Sequence, residues 1–240
     1  MRTTIIVFVL LAGTLVSVSA RGRAEEPAGL VDNFLQHPMA AADFTLTDQH
    51  EQPFRMAANR GKVVVMSFIY THCTDLCPFI SVKVRNAYQL LGADASKVVF
   101  VAVTTDPKRD LPAVDRAYSK ALGMDDAWHF VGGPLKDVQA VWSDYAIGVT
   151  IDPDTGAVSA KEEKPAAGPS KDEPPPTQGL SQADVNLANQ IADAFGGGYD
   201  VGHSAPFWIV DKKGMIRVGM DADATPADIV TNVRALLKVN

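Results

Sequence analysis

From Ala40 onward, short wholly apolar runs alternate with stretches whose apolar residues recur at helical spacing, a rhythm that predicts α/β layering. "DFTLTD" and "QPFRM" read as a short hairpin. "KVVVMSFIY" (62–70) is β-branched, aromatic and apolar throughout, as a central strand covered on both faces would be. "ISVKVRNAYQLLG" carries a helical apolar face and ends in glycine, a usual helix stop. "KVVFVAVTT" (97–105) is the next buried strand, and "LPAVDRAYSKALG" (111–123) is a helix with Pro112 in its first turn. "WHFVGG" is a strand, and "PLKDVQAVWSDYAI" is a helix with Val138, Val141, Trp142 and Tyr145 on one face.

Between Val149 and His203 this rhythm breaks. Residues 159–178, "SAKEEKPAAGPSKDEPPPTQ", hold almost nothing that a core could bury and predict a flexible insertion over about 155–180. "SQADVNLANQIADAF" (181–195) follows as a helix capped by Ser181. "PFWIV", the turn "DKKG" and "MIRVGM" make a hairpin, and a helix from Pro226 to about Val239 closes the chain. The predicted fold is α/β and thioredoxin-like, a mixed central sheet with helices on both faces, over residues 40–240. Right-handed crossovers then bring the loop before "PFWIV" near the loop after "MSFIY".

Charge and the first twenty residues narrow the setting. Arg2, an apolar run from Ile5 to Val18 and the small residues Val18-Ser19-Ala20 read as a secretory signal peptide cut after Ala20. The rival reading is an uncleaved anchor that tethers the protein to a membrane through residues 3–20. Residues 21–39 then form a linker, and the domain is exported to a periplasmic or other extracytoplasmic, oxidising space. A net charge of -6 without a basic cluster argues against nucleic acid as a partner.

The candidate chemistry lies in "YTHCTDLCPF", which holds the chain's two cysteines, Cys73 and Cys77. Thr74 or Asp75 could cap a helix that carries Cys77 and Pro78 in its first turn. The positive end of that helix would favour the Cys77 thiolate. An i, i+4 pair about 6 Å apart can close a disulfide or clasp one ion. Dithiol oxidoreductases usually place two residues between their cysteines; three stand here, which suits a metal held from both sides. With His203 brought alongside, two thiolates and an imidazole are a soft set suited to Cu(I), and Cu(II) also ranks high for such donors. Zinc would want a fourth ligand. An inert disulfide and a thiol-disulfide exchange pair remain as alternatives.

"GKVVVMSFIYTHCTDLCPF", "VTTDPKRD" and "YDVGHSAPFWIVDKKG" resemble the Sco/SenC family of thioredoxin-fold copper-binding proteins. The resemblance implies an exported, often membrane-tethered copper chaperone for the binuclear copper centre of cytochrome c oxidase, with Cys73, Cys77 and His203 as copper ligands. It implies assembly work rather than catalysis, with thiol-disulfide exchange toward the target's cysteines as the alternative role. In an oxidising space a thiol reductant would have to keep the pair reduced. Asp106, Arg109 and Asp110 form a charged loop on the same sheet edge. They either support the ligands and dock a partner, or make a solvated turn in which Asp110 caps the next helix. Leu111 follows Asp110 where the family commonly has threonine, which weakens such a cap. His72 is a possible second nitrogen donor, although neighbours on an extended segment face opposite sides. His37, His50 and His129 have no company of ligand type. Ala205-Pro206 stands where thioredoxin folds often hold a cis-proline.

Overall fold

The computed structural model describes residues 34–150 and 177–239. The predicted signal peptide and most of the predicted insertion lie outside these residues. The strands are β1 (Phe34–Ala40), β2 (Thr45–Asp48), β3 (Pro53–Arg55), β4 (Val63–Ile69), β5 (Val98–Thr104), β6 (His129–Gly132), β7 (Val149–Thr150), β8 (Gly202–His203), β9 (Phe207–Val210) and β10 (Met215–Met220). The helices are α1 (Leu76–Leu91), α2 (Pro112–Leu122), α3 (Leu135–Asp144), α4 (Gln182–Phe195) and α5 (Pro226–Lys238). Eight strands form one mixed sheet in the order β1-β10-β9-β4-β5-β6-β2-β3, while β7 and β8 pair separately.

The sheet is built around β4 and β5. They run parallel, in register from Val63 opposite Val98 to Ile69 opposite Thr104, and every residue of both is buried. Such burial on both faces is why their sequences read as unbroken apolar runs rather than as alternation. Each Val, Ile or Phe side chain so buried contributes about 1.5–3 kcal/mol. Phe68→Ala would cost about 3–5 kcal/mol. Strand β9 lies antiparallel on the other side of β4, pairing Val65 with Ile209. The segments just after β4 and just before β9 therefore meet at one edge of the sheet.

The helix ends follow their sequence signals. Ser181 and Thr225 each make a reciprocal capping box, with Asp184 and Asp228 respectively. Pro112 opens α2, and Gly123 closes it with a left-handed φ of 75°. Two features depart from the sequence reading. Residues 34–39, expected within the linker, join Ala40 in a strand that pairs antiparallel with β10 and extends the sheet to the N-terminal side of Ala40. Val149 pairs with His203, and Thr150 with Gly202, in a ladder that the sequence did not predict. The described residues contain no cis peptide bond, so Ala205-Pro206 is trans.

Candidate metal centre

Cys73 lies in the loop after β4, and Cys77 is the second residue of α1. Both are reduced and buried. The N-cap of α1 is Asp75, whose side chain makes no capping bond; instead its backbone N–H donates to Cys73 Sγ at 3.4 Å. His203 arrives from β8, held by the ladder to Val149 and by Gly148 N–H, which donates to Ser204 Oγ at 3.0 Å. Its Nε2 stands 3.5 Å from Cys77 Sγ. Its Nδ1 faces the Ser204 carbonyl at 3.1 Å. That carbonyl can only accept, so Nδ1 carries the proton and Nε2 turns a lone pair toward the sulfur. Burial lowers the imidazole pKa below its usual 6.5, so the ring is neutral at pH 7 even though part of His203 still meets solvent.

The expectation of a favoured Cys77 thiolate is overturned. The Cys77 thiol is pushed well above 9, first by its burial and then by the neighbouring sulfur. The Cys73 thiol is lowered to about 7, chiefly because the Cys77 S–H donates to its thiolate. The favourable helix end at Cys77 is outweighed by the cost of burying charge at a site only 1% exposed.

Sulfur, sulfur and imidazole do not yet form a closed cage. The one trio of His, Cys, Asp or Glu among the described residues with every donor atom within 4.8 Å of the others is His50, Asp125 and Asp126. Cys73, Cys77 and His203 are therefore spread somewhat wider, with His203 Nε2 within hydrogen-bond reach of the Cys77 sulfur. The His50 cluster corrects the expectation that this histidine has no ligand-type company, but its contacts are internal. His50 Nε2 meets the Asp125 carbonyl at 2.9 Å, and the Arg116 guanidinium lies 3.6 Å from the Asp125 carboxylate. His129 Nδ1 pairs with Asp48 at 3.0 Å.

The charged loop holds the donors in place from beneath. Asp110 is buried and does not cap α2, whose N-cap is Leu111 with no side-chain bond. Its Oδ1 accepts from Thr71 N–H at 3.1 Å and from Thr71 Oγ1 at 2.6 Å, and its Oδ2 accepts from Thr104 Oγ1 at 2.6 Å. Asp110 thus ties the start of the cysteine loop to the end of β5. His72 Nδ1 joins this network at Thr71 Oγ1, 2.8 Å away. The ring is occupied there rather than offered to the cysteines.

Arg109 does the same for the histidine loop. Its guanidinium pairs with Asp106, donates to the Gly197 carbonyl at 2.9 Å and stacks on the Tyr199 ring at 3.6 Å. Tyr199 donates to Asp106 at 3.0 Å. The run Gly196-Gly197-Gly198 permits this close approach. A Cβ at Gly198, where φ is +82°, would fall 2.8 Å from the guanidinium, and one at Gly196 would overlap Thr74. Tyr70 completes the seam: its hydroxyl accepts from Val201 N–H at 3.2 Å and its ring packs edge-on against His203. The sequence reading singled out neither tyrosine. Their positions, directly before the cysteine loop and four residues before His203, were the available signal.

A family model described as SCO1/SenC matches residues 34–163. An SCO2-like protein of Rickettsia typhi is 31% identical over 122 residues, covering 50% of this chain and 60% of that one. The matched part of the chain thus spans about three fifths of that relative's length. Among solved structures, Bradyrhizobium japonicum ScoI with copper bound aligns with a TM-score of 0.59 at 21% identity, covering 82% of this chain and 99% of that one. Yeast Sco1 with copper bound aligns with a TM-score of 0.60 at 18% identity, covering 85% and 91%. At those identities the structural likeness speaks for a shared fold, and the family match for descent: the chain belongs to the SCO1/SenC family.

Proposed function

We propose that this protein is a copper metallochaperone whose cargo is held by Cys73, Cys77 and His203. The observation that carries the proposal is the neutral imidazole of a residue 126 positions away, its unprotonated nitrogen 3.5 Å from the Cys77 sulfur. Two thiolates and one imidazole are a low-coordinate soft set that fits Cu(I). The copper-bound ScoI and Sco1 relatives support the same cargo.

The wide spacing of the donors suits a carrier. Copper would draw the Cys73 loop and the His203 loop together, displacing the Cys77 proton as it binds. An incoming thiolate or imidazole could then attack the under-coordinated ion and take it by ligand exchange. The recipient we propose is the binuclear copper centre of cytochrome c oxidase or another copper enzyme. The domain would be exported, with residues 1–20 as signal or tether and a thiol reductant keeping the pair reduced. No substrate bond need break, so the role is assembly rather than catalysis.

The lowered Cys73 pKa supports a second reading, thiol-disulfide exchange with the recipient's cysteines. A thiolate near pH 7 beside a second thiol is the arrangement of an attacking and a resolving cysteine. Anaerobic Cu(I) titration against a competing chelator, paired with a dithiol exchange assay, separates the two. The chaperone role predicts one tight equivalent, lost in Cys73→Ala or Cys77→Ala and much weakened in His203→Ala, while exchange survives the histidine change. Equal copper affinity in His203→Ala and the unaltered protein would refute the proposed ligand set.

A further inference from the structure

A cavity of about 180 Å³ opens on the same sheet edge, lined by Thr47, Asp110, Leu111, Asp115, Gly132 and Gly133 among others. It holds a polar group that no other part of the site employs. Asp115, in the first turn of α2, is 2% exposed, and its Oδ1 has no hydrogen-bond partner. A buried unpaired carboxyl costs stability, and a satisfied or apolar side chain would cost less. No basic side chain lines the cavity. Lys108 and Arg109 turn toward Tyr199 instead, and Arg116, next to Asp115 in sequence, pairs with Asp125 at 3.6 Å. The rim carries Leu111, a leucine 54% exposed, and Leu135, also exposed, follows Gly133 by two residues. An acidic socket beside exposed leucines has the mixed character of a protein docking point, where a single buried arginine often anchors the contact.

We propose that this cavity is the socket for an arginine side chain of the protein that exchanges copper with this one. A guanidinium supplies the donors that Asp115 lacks and the positive charge that the cavity wants. Its place follows from Asp110, which lines the cavity and also holds Thr71, two residues before Cys73. A partner anchored here lies alongside the copper ligands. Burial, reinforced by Asp110, raises the Asp115 pKa to about 9, so an entering guanidinium would displace its proton. The partner's role rests on the metallochaperone reading; the socket itself does not.

The test is a titration of the reduced protein with n-propylguanidinium chloride and with the blocked peptide acetyl-Gly-Arg-Gly-amide, followed by amide NMR. Saturable shifts at Thr47, Gly132, Gly133 and Asp115 are expected with both probes. Affinity should fall about tenfold or more in Asp115→Asn, the loss of one charge-assisted contact. Thr47→Phe, at an exposed strand position on the lining, should weaken binding by obstruction and serves if Asp115→Asn fails to fold. No saturable shift, or unchanged affinity in both variants, overturns the socket. Binding of propylguanidinium but not of the blocked peptide makes this a small-molecule site and overturns the partner assignment. Cu(I) titration of Asp115→Asn keeps the two readings apart: it should match the unaltered protein, and a failure of copper binding everywhere would sink the chaperone while leaving the socket.

Discussion

Asp110 offers the sharpest test of how the site is held. Its carboxylate takes three hydrogen bonds, two of 2.6 Å from the hydroxyls of Thr71 and Thr104 and one of 3.1 Å from the Thr71 N–H. All three residues are buried, so Asp110→Ala would strand three donors away from water. Each stranded group costs about 1–3 kcal/mol. Because the hydroxyls can turn toward other acceptors, we expect a total of about 3–6 kcal/mol. Asp110→Asn keeps one oxygen for Thr71, but its amide would face Thr104 Oγ1, which already accepts from Asp106 N–H. It should cost about 1–2 kcal/mol. Urea unfolding of the reduced protein, followed by circular dichroism, reads both. With a slope near 2 kcal/mol per molar urea, the alanine midpoint should fall by about 2 M. Copper affinity should fall with stability, since Thr71 starts the cysteine loop. An alanine variant within about 0.5 kcal/mol of the unaltered protein would refute this account of Asp110.

Three further outcomes follow from the same geometry. Arg109→Ala removes the clamp on Gly197 and Tyr199, so copper affinity, read by chelator competition, should drop about tenfold while the thiol reactivities stay put; Arg109→Lys should not rescue it, because an ammonium cannot stack as a flat guanidinium does. Iodoacetamide at pH 7 should label Cys73 before Cys77 by mass spectrometry, with a rate that rises through a midpoint of about 7, and prior labelling of Cys77 would contradict this order of titration. Asp115 has a folded pKa of about 9, above the unfolded value of about 3.9, so the unfolded state binds fewer protons between these limits and stability falls as pH rises through that window. Asp115→Asn abolishes this slope; it should be more stable than the unaltered protein by about 2 kcal/mol or more at pH 8 and about equal to it at pH 4.

Much of this was legible in the chain because long apolar runs and cap signals report local physics. The doubly covered strands β4 and β5, the proline opening α2 and the cap at Ser181 all read directly. The meeting of the cysteine loop with His203 was also legible, since it needs only that β9 lie beside β4. What escaped depends on tertiary detail. Strands β7 and β8 have two residues each, too few to show a period, yet they pin His203. Strand β1 is interrupted by Pro38 and sits at the sheet's edge, where a weak pattern suffices. The Cys77 thiolate was wrongly expected because burial of Cys77 outweighs the helix end. Asp110 lies one residue before the N-cap of α2, which is Leu111, and turns inward, because Thr71 and Thr104 bring three donors to it.

X-ray absorption at the copper edge of the Cu(I)-loaded, reduced protein reads whether His203 joins both sulfurs around one ion. A copper bound by two sulfurs and one imidazole is expected, with the imidazole signal lost and both sulfurs retained in His203→Ala. A copper bound by sulfur alone, with a spectrum unchanged in His203→Ala, would contradict it.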